Sequence, residues 1–154
     1  MNRITIGIDP STTATGIAML KNGEYYLSEV IKPNKKLDVT LRSFEIAEVI
    51  QECLAVNCQE KIEKVVIEKV YSFNRQGLEV QNRLIGMIEF VLCELNIPFE
   101  YAHPSEINKL WNIPQSTKKC KVNKKELTIK AVNEHFKLNI TSNDEADAIS
   151  LAML

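Results

Sequence analysis

Four acidic residues in three distant stretches carry the most informative chemistry of this chain. Asp9 ends the run Arg3-Ile4-Thr5-Ile6-Gly7-Ile8-Asp9, Glu68 closes Val65-Val66-Ile67-Glu68, and Asp144 and Asp147 open the last helical pattern. A carboxylate at the end of a buried strand is costly unless something compensates its charge. A divalent cation is the simplest partner for all of them at once. An all-oxygen donor set suits Mg²⁺ or Mn²⁺, the ions of phosphodiester chemistry.

Each acid also has a plainer reading by itself. Asp9 could close an Asx-turn onto Thr12 or Thr13, and Glu68 could pair with Lys64 or Lys69. Asp144 could be a first-turn acid favoured by the helix dipole. Asp147 is harder to dismiss, because it lies one turn further in, beside alanines, on the helix face that Asp144 shares. Coincidence of all four at two strand ends and one helix start argues for a common site.

The elements that must position these acids follow from periodicity. Residues 3–9 read as a buried strand, Pro10-Ser11-Thr12-Thr13 as a turn and Thr15 to Leu20 as a second strand. Asn22-Gly23 is a hairpin signal leading into a third strand, from about Tyr25 to Ile31. Helical spacing of apolar residues runs from Asp38 to about Val56, followed by the strand that ends at Glu68. A long helix is predicted from Arg75 to Asn96. Its apolar positions cover roughly half the circumference, more than one sheet face requires; a central core helix would account for the excess, and so would a second copy of the chain on the spare flank, the reading favoured here. Pro98 to Tyr101 is a further strand, and Pro104 starts a short helix through Trp111. Asn123 to Phe136 reads as a helix, and Ser142-Asn143-Asp144-Glu145 has capping-box spacing ahead of a helix reaching Leu154.

At 154 residues, 45% hydrophobic and 25% charged, the chain has the make-up of one globular α/β domain, residues 1–154. No apolar run reaches membrane-spanning length and no signal peptide is visible, so a cytoplasmic location is expected. Cys53, Cys58, Cys93 and Cys120 lack zinc-ligand spacing and read as reduced thiols. The net charge of −1 argues against general coating of nucleic acid. Six lysines nevertheless lie between Lys118 and Lys130 against the single acid Glu126, a local basic block suited to a phosphate backbone or to a solvated helix face.

The motifs also resemble a known family. Gly7-Ile8-Asp9-Pro10-Ser11 with Thr15-Gly16 resembles the first motif of the RuvC family of Holliday-junction resolvases. Val66-Ile67-Glu68-Lys69-Val70-Tyr71 resembles the second, and Asn143-Asp144-Glu145-Ala146-Asp147-Ala148 the last. The Phe99-Glu100-Tyr101-Ala102 stretch and the following lysine region are similar too, so the likeness covers nearly the whole chain in order.

The resemblance implies an RNase H-like fold: a five-stranded mixed sheet, the first three strands antiparallel, flanked by helices. It further implies a homodimeric endonuclease acting on four-way and related branched DNA, with Asp9, Glu68, Asp144 and Asp147 as catalytic, metal-binding acids. Two Mg²⁺ ions per active site are implied, with Mn²⁺ as a substitute. Tyr71 falls where the family carries a base-stacking aromatic, and Phe73 is a second candidate. Lys109, Lys118, Lys119, Lys121, Lys124 and Lys125 are the candidate phosphate contacts. Asn108 stands where the family has a lysine, with Lys109 beside it. Gly16, opposite Asp9 across the first hairpin, is expected to let the DNA backbone approach. The size fits a bacteriophage-type member, and no residue identifies a branch-migration motor.

Two other readings compete. The same fold could bind branched DNA without cutting it, or cut flaps and forks generally. The run Gly7 to Gly16 also resembles the first phosphate motif of actin-like and sugar kinases, but those bind ATP between two lobes that this chain is too short to supply.

Overall fold

The computed structural model describes residues 2–57, 61–71, 75–115 and 121–154. Its elements in chain order are β1 (Arg3–Asp9), β2 (Thr15–Lys21), β3 (Glu24–Ile31), α1 (Val39–Asn57), β4 (Lys61–Glu68), α2 (Arg75–Glu94), β5 (Phe99–Ala102), α3 (Pro104–Leu110), α4 (Lys124–Phe136) and α5 (Asn143–Met153). The five strands form one sheet in the order β3-β2-β1-β4-β5. The β1/β2 and β2/β3 pairs are antiparallel, and β4 and β5 join in parallel. This is the expected mixed RNase H-like sheet. The β2–β3 hairpin turns on Asn22 and Gly23, both with positive φ, at 54° and 81°. That pairing matches the right-handed twist of the flanking strands.

Strand alternation assigns the two faces. Ile4, Ile6 and Ile8 of β1 point with Ile17, Met19, Val65 and Ile67 into one core, completed by Ile46, Ile50 and Leu54 of α1 and Leu84, Ile88, Val91 and Leu92 of α2. The opposite face is made of smaller side chains. Ala18 packs with Ala146, Ala148 and Ile149 of α5 and Val132 of α4, while Val66, Ala102, Ile107 and Leu151 form an adjoining cluster under α3.

The small residues are what let α5 lie flat on the sheet. A Cβ added at Gly7 would stand 2.0 Å from the Ala148 carbonyl oxygen, and one at Gly16 would stand 2.0 Å from that of Asp144. The Thr5 hydroxyl donates to the Ala152 carbonyl at 2.7 Å, and the Trp111 indole donates to Ser150 Oγ at 2.8 Å. These bonds fix the helix along its length.

Several local readings shift. β4 begins at Lys61 rather than near Val65, and β5 runs one residue further, to Ala102. Ser142 does cap α5, accepting from the Glu145 amide, but Glu145 does not reach back to complete the box. Its carboxylate instead accepts from Ser28 Oγ of β3 at 2.6 Å. The reciprocal box occurs at α3, where His103 Nδ1 accepts from the Ser105 amide and Glu106 accepts from the His103 amide. Among the described residues no helix is long and apolar enough to cross a membrane.

Candidate active site

Asp9 and Glu68 end two parallel neighbours whose register pairs Ile8 with Ile67. Each side chain therefore leaves the sheet on the α5 face, because each lies two residues beyond a residue packed under that helix, Gly7 and Val66. Asp144 and Asp147 occupy the first turns of α5. Gly16 pairs with Asp9 across β1/β2, and its missing side chain seats the backbone of Asp144 directly on the strand. The expectation that Gly16 leaves room for DNA is thus replaced. The space is filled by α5, and Gly16 acts by bringing the helix acids down to the strand acids.

All four carboxylates line one cavity of about 350 Å³, together with Pro10, Ser11, Lys69, Val70, Tyr71, Gln81, Pro104, Lys125 and Asn143. Asp144 is a first-turn acid of α5, as its plainer reading has it, but it also faces the other three acids. The turn after β1 is closed by Ser11 and Thr15, with the Thr15 hydroxyl donating to the Ser11 carbonyl at 2.7 Å. Lys64 turns away to Glu100 and to the Leu154 carbonyl.

Burial and mutual repulsion dominate the electrostatics. Burial first, then the charges of Glu68 and Asp147, push Asp9 up to about 9. A hydrogen bond with Glu68 adds to the rise, since a protonated Asp9 can donate to its neighbour's carboxylate. Glu68 is itself raised, chiefly by burial, while the Asp9 hydrogen bond and nearby His103 pull the other way. Burial and Glu68 also lift Asp147 to about 6, with Asn143 and Lys125 opposing. Asn143 Nδ2 lies 3.3 Å from Asp144 and 3.5 Å from Asp147.

Among the described residues no group of three or more His, Cys, Asp or Glu side chains stands arranged as a ready metal cage. The acids surround a common space without closing on its centre. Their chemistry nonetheless fits a divalent cation, because the donors are all oxygen and Lys125 and His103 offset only part of their charge.

The basic candidates separate. Lys125, in the first turn of α4, lines the carboxylate cavity. Lys124 donates to Gln115 at 3.3 Å, whereas Lys109 and Lys121 are exposed and outside the cavity wall. Phe73, Lys118 and Lys119 fall outside the described residues, as do Cys58 and Cys120. Tyr71 is 57% exposed at the cavity rim, its ring 4.8 Å from that of His103 and within 6.0 Å of Lys69 Nζ. His135, in the last turn of α4, packs its ring against Trp111 and Phe136.

Sequence reasoning passed over Gln81 and Asn143 as site members. Asn143 was visible only as a neighbour of Asp144. Gln81 had a signal, as a polar residue on the otherwise apolar stripe of α2.

No protein-family model matches the sequence, and none of the curated proteins compared with it matches. Solved structures do. Thermus thermophilus RuvC in complex with a Holliday junction substrate superposes with a TM-score of 0.78 at 17% identity, covering 98% of this chain and 90% of that one. A second Thermus thermophilus RuvC structure gives 0.75 at 18% identity, covering 99% and 92%. A Cas12f1–sgRNA–target DNA complex gives 0.52 at 15% identity, covering 97% of this chain and 49% of that chain. The chain therefore has an RNase H-like fold, and in particular the fold of the RuvC Holliday-junction resolvases.

Proposed function

We propose that this protein is a metal-dependent endonuclease that resolves four-way and related branched DNA, acting as a homodimer with one carboxylate site per copy. The observation that carries the reading is the meeting of Asp9, Glu68, Asp144 and Asp147 around one cavity at the ends of the interior strands of a RuvC-like sheet. The fold of a junction-bound RuvC, matched over nearly the whole chain, supports the substrate class.

In this reading Asp9, Glu68, Asp144 and Asp147 would hold two Mg²⁺ ions, or Mn²⁺ in their place. When bound, such ions neutralise the phosphate and lower the pKa of the attacking water. The chain's own part is to shed the proton held by Asp9, keep Asp144 and Asp147 on one helix face and offer Lys125 to a neighbouring phosphate. Hydrolysis joins the water oxygen to phosphorus as the bond to the 3′ oxygen breaks, leaving a 5′-phosphate and a 3′-hydroxyl. Tyr71, exposed at the rim, is placed to stack on an unpaired base near the crossover.

Two strands must be cut and each chain brings one site, so a second copy is required. We assign it to the apolar groove between α1 and α2, a cavity of about 400 Å³. Phe44 and Phe90 stand there 53% and 65% exposed. Phe90→Asp should convert the dimer to a monomer by light scattering and turn paired cuts into single nicks.

The deciding experiment is cleavage of a labelled four-way junction beside flap, fork and linear duplex controls, in Mg²⁺, Mn²⁺ or EDTA. Paired symmetric nicks, absent in EDTA and in Asp147→Asn, are expected, with junction binding retained by the variant. Equal cutting of flaps and forks would make it a general branched-DNA nuclease. Tight binding without cutting would leave a non-catalytic binder of the same fold.

A further inference from the structure

We propose that Gln81 is a positioning residue for the attacking water, a role that rests on the nuclease reading above. Gln81 belongs to α2, the helix that otherwise covers the opposite sheet face from α5. Its buried residues Leu84, Ile88, Val91 and Leu92 form a continuous stripe. Gln81 extends that stripe one turn toward the helix N-terminus, at i−3 from Leu84 and i−7 from Ile88. An apolar residue is the ordinary occupant of such a position.

Here α2 overhangs the end of the strands, and the Gln81 side chain arrives in the wall of the carboxylate cavity. Its Oε1 is buried and has no hydrogen-bond partner among the described residues. A buried acceptor without a donor is unfavourable and needs an explanation. The cavity itself narrows the choice. Asp9, Glu68, Asp144 and Asp147 are acceptors when ionised, a phosphate diester has no proton to give, and the donors of the wall, Lys69, Lys125 and Asn143, make no hydrogen bond to this oxygen. Water is the donor that belongs to the reaction. A carboxamide oxygen accepting one of its O–H bonds would fix the direction of its lone pair without taking up a proton, which a carboxylate in the same place would do.

The test uses the full-length protein and a labelled four-way junction. Q81M removes the acceptor at nearly constant volume, and Q81L is a second apolar replacement. Single-turnover cleavage with saturating enzyme should fall on the order of 100-fold, the scale of a misplaced reactant. Junction affinity in EDTA should stay within about threefold of wild type, and the melting temperature should be equal or higher, since an unpartnered acceptor has been removed. Wild-type cleavage rates in both variants would overturn the role. So would a rate loss matched by lost affinity or lost melting temperature, which would make Gln81 a general contact or a packing residue. If wild-type protein cuts no branched DNA, the nuclease reading falls and this role with it. An active wild type with indifferent variants sinks the Gln81 role alone.

Discussion

The two faces of the sheet are built on opposite principles. Toward α1 and α2 the strands offer branched side chains, Ile4, Ile6, Ile8, Ile17 and Ile67, and the helices stand off by the thickness of those residues. Toward α5 they offer Gly7, Gly16 and Ala18, and the helix backbone touches the sheet. The first face buries the larger apolar volume and so supplies the greater share of the stability. The second gives up volume for position: close approach is what places Asp144 and Asp147 beside the ends of β1 and β4. A thick interface can lose a methylene and relax, but a backbone-on-backbone interface has nothing soft to move.

The largest effect should come from the thin face. Gly7→Val must displace α5 along its length, and we expect about 3 kcal/mol or more of stability to be lost in urea unfolding, with cleavage abolished. Retained folding and activity would mean that α5 can lift without cost. On the thick face, Ile6→Ala should cost roughly 2–5 kcal/mol by the same assay. Its cleavage rate per folded molecule should stay within about twofold, since Ile6 lies in the core outside the carboxylate cavity wall. A large rate loss in fully folded Ile6→Ala protein would erase the distinction between the faces.

Replacing a site acid should act in the opposite direction. Asp9→Asn removes a carboxyl that burial and its neighbours oppose in the charged form, so metal-free protein at pH 8 should gain about 1–3 kcal/mol while losing cleavage. The pH dependence has a definite sign. Asp9 is raised in the folded state from 3.8 to about 9, so the native protein holds a proton that the unfolded chain has released. Its contribution is complete below about pH 4 and is lost as pH rises toward 9. Asp147 adds the same slope between 3.8 and about 6. Thermal melts in EDTA should therefore fall with rising pH, and Asp9→Asn should flatten the upper part of the decline. Mg²⁺ affinity, followed by calorimetry, should strengthen over the same range, because binding must displace that proton.

The smallest expected effect lies at the tie between α5 and β3. Ser28→Ala removes the donor to Glu145 and should cost about 1 kcal/mol, with little change in cleavage. A loss much beyond this would mean that Glu145, rather than the glycine contacts, sets the depth of α5.

Much of this architecture is legible along the chain. Alternating isoleucines before Asp9, Asn-Gly at the hairpin and helical spacing from Arg75 onward each express a period that neighbouring residues impose on one another. The four acids are legible for a related reason: each ends or opens an element, where a carboxylate in an apolar setting stands out, and the family resemblance gathers them. Glu145 shows the limit. Its spacing from Ser142 satisfies a local rule, yet Ser28, far away in sequence, offers the better partner once β3 lies beneath α5.

The order of elements and the hairpin were thus determined by the sequence alone, because they depend on contacts among residues close together in the chain; the four acids were legible from their places at element ends and from the family resemblance. Only the tertiary structure decided that Gly7 and Gly16 serve as the seat of a helix, that Lys125 rather than Lys109 or Lys121 reaches the cavity, and that Gln81 joins the acids from the other side of the sheet. Those outcomes turn on which atoms arrive from distant segments and how closely, and no local period records that distance.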